Sequence, residues 1–495
     1  MRPDDTVAGP SAIASPVKVH LLDGSTVVFS NGATVSRDSI VGRAMSYALL
    51  RDVGIPRPSV PMDSVLGVEA FEKKVLGGQS FIWTVAATAV SAVGLAALAL
   101  AVFGSCPTVY SDSGAAAILQ AEGFSYSIAP IMEHRDVDPL RVRAGADGVL
   151  RLELRNEALE THYINHIEVL AVRHEEGERV VPDQVGRPVV LAGFTPVARA
   201  VDRAGRDVRA VLVEHDGELY SSAPLVISGA KPGDLDDWID IDVSTLPPGD
   251  SVAVLLRLRN SLLNTVLLYE GMLGGRDALD WLNTGLQNIA TTVELAQWYT
   301  ATMGLRASID ARSPITAHMG DVGPIAFRDV AIVLPRATVD TMRQRIRLRF
   351  VADNWRIDEV RVAGRITRPE HAVLPIDSVI VPTPVGGGPP VADHSAVAVL
   401  ADADDRYLET RPGQRLTLVF KADTVAVRSP TTRTTYLIAW QGWYREWIRA
   451  SWLAEPTRLT PFVPGDAAML EALGRWTQKK ASFERDFYAS RIPVK

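Results

Sequence analysis

The chain has 495 residues, enough for three or four domains, and 47% hydrophobic with 22% charged residues is the composition of folded protein. A formal net charge of −7 argues against nucleic acid as a main partner. The single cysteine, Cys106, excludes an intramolecular disulfide and a metal site built from several cysteines.

The first 76 residues precede a long apolar segment and divide into two parts. Residues 1–16 are polar and rich in Pro and Ala, which predicts a flexible tail without a cleavable signal. In residues 17–76, apolar stretches are separated by Asp23-Gly24 and Asn31-Gly32, dipeptides that favour tight turns between strands. We therefore expect a small β domain, which is either an adaptor for a cytoplasmic partner or a packing module beside a membrane.

Residues 81–103 contain no charged side chain, which predicts a transmembrane helix over residues 81–104. The alternative is a buried helix of a large soluble protein. Lys73 and Lys74 precede the segment, whereas no Lys or Arg follows it until Arg135. The positive-inside rule then places the N-terminus in the cytoplasm and the C-terminal part in the periplasm, with the lipid bilayer as a partner through residues 81–103.

Two further stretches carry a resemblance to a known group. Residues 104–110, GSCPTVY, follow the apolar segment directly, and residues 353–358 read DNWRID. With these motifs the chain resembles a group of uncharacterised bacterial membrane-anchored envelope proteins. The resemblance implies an envelope location and no activity, so it assigns no catalytic residue. Cys106 itself is open to lipidation, to a disulfide with a second copy, or to the role of an ordinary thiol.

After residue 107 the apolar residues mostly recur at every second position, as in half-buried antiparallel strands. The pattern is clear around Leu152, Leu348 and Leu418. We expect a mainly β fold with exterior sandwich domains, and the DNWRID motif suggests that one part is jelly-roll-like. The expected segments are a sandwich over 107–275, a jelly-roll-like portion over 305–380, a linker over 381–391 and a further β portion over 392–455.

Helical spacing appears twice in this β-rich region. Apolar residues recur at three and four positions within residues 276–304, which predicts an amphipathic helical segment that ends near Gly304. The second case lies in residues 456–495, where Asp466 is a suitable N-cap and Leu473, Trp476 and Phe483 fall on one stripe. We expect a C-terminal helix packed onto the β domains.

Motifs for nucleophilic, zinc-dependent or nucleotide-dependent catalysis are absent from the sequence. His162 and His166 are four residues apart, and a regular strand or helix would place both on one face, as shared metal ligands need. The structural alternative is a pair of polar residues on a strand face. No catalytic residue is predicted.

Acidic residues form two clusters that are candidates for a structural Ca²⁺, since calcium binds several carboxylate oxygens. The alternative is a solvated strand face, because Asp240 and Asp242 alternate with apolar residues. The candidate calcium ligands are Asp234, Asp236, Asp237, Asp402, Asp404 and Asp405.

Residues 436–452 are unusually aromatic and are the main candidate for a ligand surface, through Trp440, Trp443, Tyr444 and Trp447. They fit either a hairpin that turns at Gln441-Gly442 or a helix. Exposed indoles stack on sugars or lie at a bilayer interface, whereas buried indoles fill a core.

These observations favour a non-catalytic, single-span envelope protein that binds or scaffolds an envelope protein or glycan through its exterior β domains. The first alternative is an envelope-associated glycan hydrolase that uses the acidic clusters. The second alternative is a transmembrane sensor, with a binding domain outside and a small module inside.

Overall fold

A computed structural model describes residues 10–47, 54–70, 106–112, 117–223, 234–243, 249–267, 288–309, 316–335, 344–381, 391–422, 431–448, 453 and 466–489. The described chain is mainly β with few helices, as predicted. The predicted transmembrane helix over 81–104 lies outside the described residues. Within them, no helix combines the length and the apolar composition that are needed to cross a bilayer.

The N-terminal unit, residues 10–70, forms two small antiparallel sheets. Its described strands are β1 (Ser11–Ile13), β2 (Val17–Leu21), β3 (Thr26–Phe29), β4 (Ala33–Val35), β5 (Ser39–Val41), β6 (Ala44–Tyr47), β7 (Ile55–Pro56), β8 (Ser59–Pro61) and β9 (Val65–Ala70). One sheet has the order β1-β4-β5-β8 and the other β7-β6-β3-β2-β9. Gly24 and Gly32 have φ of 82° and 86°, a backbone that L side chains rarely adopt, which confirms both as turn residues.

The next strands along the chain begin a large sheet. They are β10 (Thr108–Asp112), β11 (Ala117–Glu122), β12 (His134–Leu140), β13 (Val149–Arg155) and β14 (Glu160–Glu175). The alternation predicted around Leu152 is confirmed, because Leu150, Leu152 and Leu154 of β13 are buried.

A second sandwich follows β14. Its strands are β15 (Arg179–Pro182), β16 (Pro188–Thr195), β17 (Val197–Asp202), β18 (Asp236–Val243), β19 (Ser251–Asn260), β20 (Leu305–Ile309), β21 (Thr316–Met319), β22 (Arg328–Pro335), β23 (Gln344–Val351) and β24 (Trp355–Thr367). They form one sheet of order β15-β16-β24-β19-β22 and one of order β17-β18-β23-β20-β21. Their facing apolar side chains share one core.

The chain then returns to the large sheet with β25 (His371–Val381), β26 (Val391–Ala392), β27 (Leu408–Thr410), β28 (Arg415–Lys421) and β29 (Thr432–Glu446). The sheet order is β11-β10-β13-β28-β25-β14-β29-β12, with β26 on β25 and β27 on β14. Its inner side chains meet across a common core, so the sheet folds over itself as a first sandwich. The second sandwich is therefore an insertion between β14 and β25.

This topology corrects the predicted domain segments 107–275 and 305–380. Strand β19 pairs with both β22 and β24, so the two segments contribute strands to the same sheet. Strand β24, which begins at Trp355, lies in the middle of that sheet rather than at its edge. Alternation identifies strands along the chain but does not say which strands become neighbours.

Five helices are described. They are α1 (Ala210–Val213), α2 (Leu263–Thr265), α3 (Ile289–Met303), α4 (His394–Leu400) and α5 (Asp466–Ala489), with 3-10 turns at Met62–Ser64 and Pro130–Met132. Helix α3 covers the second half of the predicted segment 276–304, and α5 begins at the predicted Asp466. Leu473, Trp476 and Phe483 of α5 are buried, as the stripe predicted. Most of the predicted linker, residues 382–390, lies outside the described residues.

The N-terminal unit packs directly against the first sandwich, through a contact that we call the junction. The backbone of Val68 in β9 exchanges two hydrogen bonds with Ile448, of 2.7 and 2.8 Å. The His20 ring stacks on Trp447 at 3.7 Å between centroids. Apolar residues of the unit share one buried cluster with α2, α3 and α5.

Buried polar groups tie the same junction together. The Thr161 hydroxyl donates to Glu69 at 3.1 Å and accepts from the Trp447 indole N–H at 2.9 Å. Burial lowers the pKa of His20 to about 4, so the imidazole is neutral when it hydrogen bonds to Glu69. The N-terminal unit and the first sandwich are thus joined by buried hydrogen bonds as well as by apolar contacts.

We expect Trp447→Ala to lower the free energy of unfolding by about 3–5 kcal/mol, because the indole is buried and both stacks on His20 and donates to Thr161. Urea unfolding followed by circular dichroism measures the change. Val373→Ala, at a side chain that is 50% exposed, is the control and should change stability by less than about 0.5 kcal/mol. Equal effects of the two substitutions would contradict the junction.

Candidate functional site

A cavity of about 470 Å³ lies where the two sandwiches meet in the described chain. Strand β12 supplies one wall, the β21–β22 region supplies another, and α3 closes one side with Tyr299 and Thr300. The turn between β15 and β16 adds Asp183 and Gly186. Side chains from distant parts of the chain therefore converge on one concave site, which is typical of a small-ligand pocket.

One side of the cavity is built by a buried ion cluster, the Arg328 cluster. Arg328 contacts Asp136 at 2.9 Å and Asp138 at 2.5 Å. The Trp440 indole donates to Asp138 at 3.3 Å, and the Phe124 backbone N–H donates to Asp136 at 2.5 Å. Burial raises the pKa of Asp138 to about 6. Burial also opposes ionisation of Asp136, but the Arg328 charge holds the pKa of that carboxyl below its usual value.

A second buried group, the Asp321 cluster, lies beside the first. Asn260 and Asn264 each donate a side-chain N–H to Asp321 at 2.8 Å, and Asn354 donates at 3.5 Å. Asn260 also accepts from the backbone of Val322, which fixes the loop between β21 and β22. Burial raises the pKa of Asp321 to about 6, even though the amide donors favour the carboxylate. No Lys or Arg contacts this carboxyl among the described residues.

Aromatic rings form the remaining surface of the cavity. Tyr126 lies 5.2 Å from the His134 ring and 6.3 Å from the Tyr299 ring, between centroids, and neither pair is stacked. Burial raises the pKa of Tyr126 far above its ordinary value, so its hydroxyl stays protonated. The cavity thus combines tilted aromatic rings with buried carboxyl groups that already have partners.

The predicted histidine pair does not share a face. A β-bulge at Asn165 shifts the register of β14, so that His162 lies opposite Tyr444 whereas His166 lies opposite Gln441. His162 is buried between Glu160 and Thr410, and burial lowers the pKa of the imidazole to about 3. His166 points the other way and pairs with Glu168. The shared-ligand prediction is wrong because one extra residue reverses the alternation.

The first acidic cluster does not converge on an open site. Asp236 pairs with Arg349, and Asp240 pairs with Arg347 at 2.7 Å, in a ladder across β18 and β23. Asp234 pairs with Arg203 at 3.6 Å. Asp237 points to the opposite face, where the Tyr220 hydroxyl donates to it at 2.8 Å. Asp234, Asp236 and Asp240 are therefore paired with arginine side chains, and Asp237 is held by a tyrosine hydroxyl.

The second acidic cluster, Asp402, Asp404 and Asp405, lies in the exposed loop after α4. The Asp404 carboxylate accepts hydrogen bonds from the backbone and side chain of Arg406. The backbone N–H of Asp404 donates to the Asn165 side-chain oxygen at 3.0 Å. Neither acidic cluster lines the cavity between the two sandwiches. In the described part of the chain, no group of three or more His, Cys, Asp or Glu side chains is placed to hold a metal ion.

The aromatic run forms neither a hairpin nor a helix. It lies mostly within β29, a single fifteen-residue strand that pairs with β14 and β12 in the large sheet. Trp440, Trp443, Tyr444 and Trp447 are 0%, 6%, 2% and 4% exposed, so these four side chains do not form an open ligand surface. Gly442 is a point of close approach, since a Cβ there would meet the Tyr163 carbonyl oxygen at 2.5 Å.

Cys106 is buried in the core shared with the N-terminal unit. Burial raises the pKa of the thiol well above its ordinary value, which makes it unreactive. Of the three alternatives for this residue, the ordinary thiol is the one that agrees with the burial.

The sequence did not point to the residues of the cavity. Arg328 lies almost two hundred positions after Asp136 and Asp138, and Asn260, Asp321 and Asn354 are spread over almost a hundred. One weak signal lies in β12, where Asp136 and Asp138 flank Val137. Simple alternation would expose both aspartates, but all three side chains are buried. Buried acids require a partner, but the sequence does not name it.

Comparisons with known proteins do not assign the chain to a family. No protein-family model matches the sequence, and no curated protein matches it. Among solved structures, a GH31 alpha-xylosidase from Xanthomonas citri matches over 86% of this chain and 38% of its own, with 9% identity and a TM-score of 0.15. The chain thus spans less than half of that enzyme, and so low a score supports no argument about fold or activity.

The raised pKa of Asp321 predicts a pH dependence of stability. A carboxyl whose pKa is higher in the folded protein stabilises it below about pH 4, and this contribution is lost as the pH rises through about 6. Between pH 4 and pH 7, the free energy of unfolding of the wild type should fall by about 2–3 kcal/mol more than that of Asp321→Asn. Urea unfolding of both proteins at each pH measures the difference. A constant difference would show that Asp321 ionises normally.

Proposed function

We propose that the protein is a non-catalytic binding protein of the bacterial envelope, whose ligand occupies the cavity between the two sandwiches. The observation that carries this proposal is that the buried acids of the cavity are already held by partners of the chain itself. Asp136 is held by Arg328, and Asp321 is held by side-chain amides. Such groups shape a pocket and keep it rigid.

Catalysis requires a different arrangement. A general acid or base must reach a reacting atom with a free proton or lone pair, at about 2.6–3.2 Å. Asp136 and Asp183 both use their carboxylate oxygens for arginine and backbone N–H groups. This saturation supports binding over hydrolysis.

A glycan hydrolase remains the second candidate, on a different basis from the acidic clusters. Asp321 borders the cavity and has a pKa raised to about 6, which is a property of general acids. If Asp321 were the catalytic acid, Asp321→Asn would abolish turnover of envelope glycans. Hydrolysis by the wild type and not by the variant would replace the binding proposal.

We further propose that residues 81–103 attach the protein to a bilayer, as their composition predicts. Because the junction holds the N-terminal unit against the sandwiches, this attachment leaves both on the same side of the membrane. The sensor alternative requires the two on opposite sides, so it is not supported by these contacts.

Thr300→Trp tests the binding proposal, because Thr300 lines the cavity on the exposed face of α3 and an indole there would fill it. After incubation with a bacterial cell extract, we expect the wild type to retain at least one small molecule that the variant loses, as measured by mass spectrometry. Thr432→Trp, in β29 and outside the cavity lining, is the control. Identical retention by wild type and Thr300→Trp would contradict a ligand in this cavity.

The membrane topology of the protein provides a second test. In sealed membrane vesicles, epitope tags at the two ends of the chain should be cleaved by an added protease together or protected together. Deletion of residues 81–103 should release the protein from the membrane fraction. Protection of one tag with cleavage of the other would place the two ends on opposite sides of the membrane. That result would favour a single span and contradict the junction.

A further inference from the structure

The buried side of the cavity carries more negative than positive charge. Asp136 and Asp138 share one guanidinium, that of Arg328, at 2.9 and 2.5 Å. Asp321 accepts hydrogen bonds from side-chain amides and contacts no Lys or Arg among the described residues. His134 lies 3.8 Å from Asp136 and adds a countercharge only when it is protonated. Three carboxyl groups therefore face one permanent positive charge, and this side of the cavity attracts a cation.

The other charges around the cavity are balanced or reach solvent. Arg135 pairs with Glu168 at 3.2 Å. Asp183 lies 3.5 Å from Arg187 and 3.2 Å from Arg368, whose side chains are 64% and 54% exposed, so water and salt screen their charge. The unbalanced negative charge therefore lies on the buried side.

The carboxyl groups on that side are ionised at neutral pH. Burial raises the pKa of Asp138 and that of Asp321 to about 6, which leaves both mostly deprotonated at pH 7. The amides around Asp321 stabilise its carboxylate by hydrogen bonds, but they carry no countercharge. A cation bound beside Asp321 would offset part of the cost of keeping this charge out of water.

Two tyrosine rings border the same carboxylates. Tyr126 and Tyr299 line the cavity together with Asp321, and their ring centroids are 6.3 Å apart. Burial and the nearby charges of Asp136 and Asp321 raise the pKa of Tyr126, so this ring lies within the field of both carboxylates. Aromatic faces attract ammonium groups, and the attraction is stronger where water is excluded. This combination of rings and carboxylates suits an organic cation.

A smaller cavity of about 30 Å³ shares Tyr126, Tyr299 and Asp321 with the larger one. Asn264, which is 8% exposed, also lines it. The Asn264 amide nitrogen donates to Asp321, which fixes the orientation of the amide. Its carbonyl oxygen is buried and accepts no hydrogen bond within the part of the chain that the structure describes. The smaller cavity has room for one ammonium group, whose N–H would satisfy this oxygen.

We propose that the cavity binds an organic cation with a primary ammonium group. The ammonium group lies beside Asp321 and donates to the Asn264 side-chain oxygen. The rings of Tyr126 and Tyr299 pack against it, and the rest of the ligand occupies the larger cavity, whose 470 Å³ is within the usual range for small-ligand pockets. This inference rests on the proposed binding function and names its ligand class.

Isothermal titration calorimetry of the whole protein tests the charge preference with probes of matched size. Benzylamine, benzyl alcohol and benzoate form one set, and hexylamine, hexanol and hexanoate form the other. We expect at least one amine to bind about 10-fold or more tightly than its alcohol, and each carboxylate to bind more weakly than its alcohol. No binding of either amine, or no amine that binds more tightly than its alcohol, would overturn the inference.

Substitutions locate the preference within the cavity. Asp321→Asn removes the charge and keeps the size of the side chain, so it should weaken amine binding about 10-fold and leave alcohol binding unchanged. Asp405→Asn makes the same change of net charge in an exposed loop outside the cavity lining, and this control should leave amine affinity unchanged. Tyr126→Leu should weaken amine binding about 3- to 10-fold, whereas Tyr126→Phe, which keeps the ring, should not.

Equal amine affinity of wild type and Asp321→Asn, or tightest binding of a carboxylate, would overturn the cation inference. If circular dichroism shows that Asp321→Asn does not fold, equal amine affinity of Tyr126→Leu and Tyr126→Phe would overturn it instead. If Thr300→Trp still abolished retention of an uncharged or acidic molecule from the cell extract, the binding function would stand without a cationic ligand. If it changed nothing either, both proposals would fall.

Discussion

The pairing of Val68 with Ile448 is the constraint on which the arrangement of this protein depends. It joins the last strand of the N-terminal unit to the residues just after β29, across almost four hundred positions of sequence. Around it, the His20–Trp447 stack and the Glu69–Thr161–Trp447 hydrogen bonds are all buried. An unpaired Glu69 would be costly in such surroundings, and the junction therefore opens only at a large energetic cost.

The same strand, β29, connects the junction to the cavity. One of its faces contributes Trp440 to the core of the first sandwich, where the indole also donates to Asp138 of the Arg328 cluster. Its other face contributes Leu437 and Ala439 to the layer shared with β15 and β16. Burial on both faces explains the continuous apolar run at residues 436–440 of the strand. The wall of the cavity is thus set by the same element that anchors the N-terminal unit.

Local features of this fold could be predicted from the sequence, because they depend on neighbouring residues. Alternation identified β13, β23 and β28, Asp-Gly and Asn-Gly identified two turns, and helical spacing identified α5. The features that were missed depend on distant residues. The bulge at Asn165 is stabilised by the loop at Asp404, and Gly442 reflects a close approach of Tyr163 rather than a turn. Likewise, Arg328 reaches Asp136 from another sheet, and the amides that hold Asp321 come from other parts of the chain.

The most direct measurement of the central claim is a disulfide between the two halves of the junction. In a Cys106→Ser background, Val68→Cys and Ile448→Cys place two thiols on hydrogen-bonded antiparallel partners, whose Cα atoms lie about 5.5 Å apart and within disulfide range. Our account predicts that this pair cross-links on oxidation, whereas Val68→Cys with Val373→Cys does not. Absence of the first cross-link in the folded protein would contradict the account.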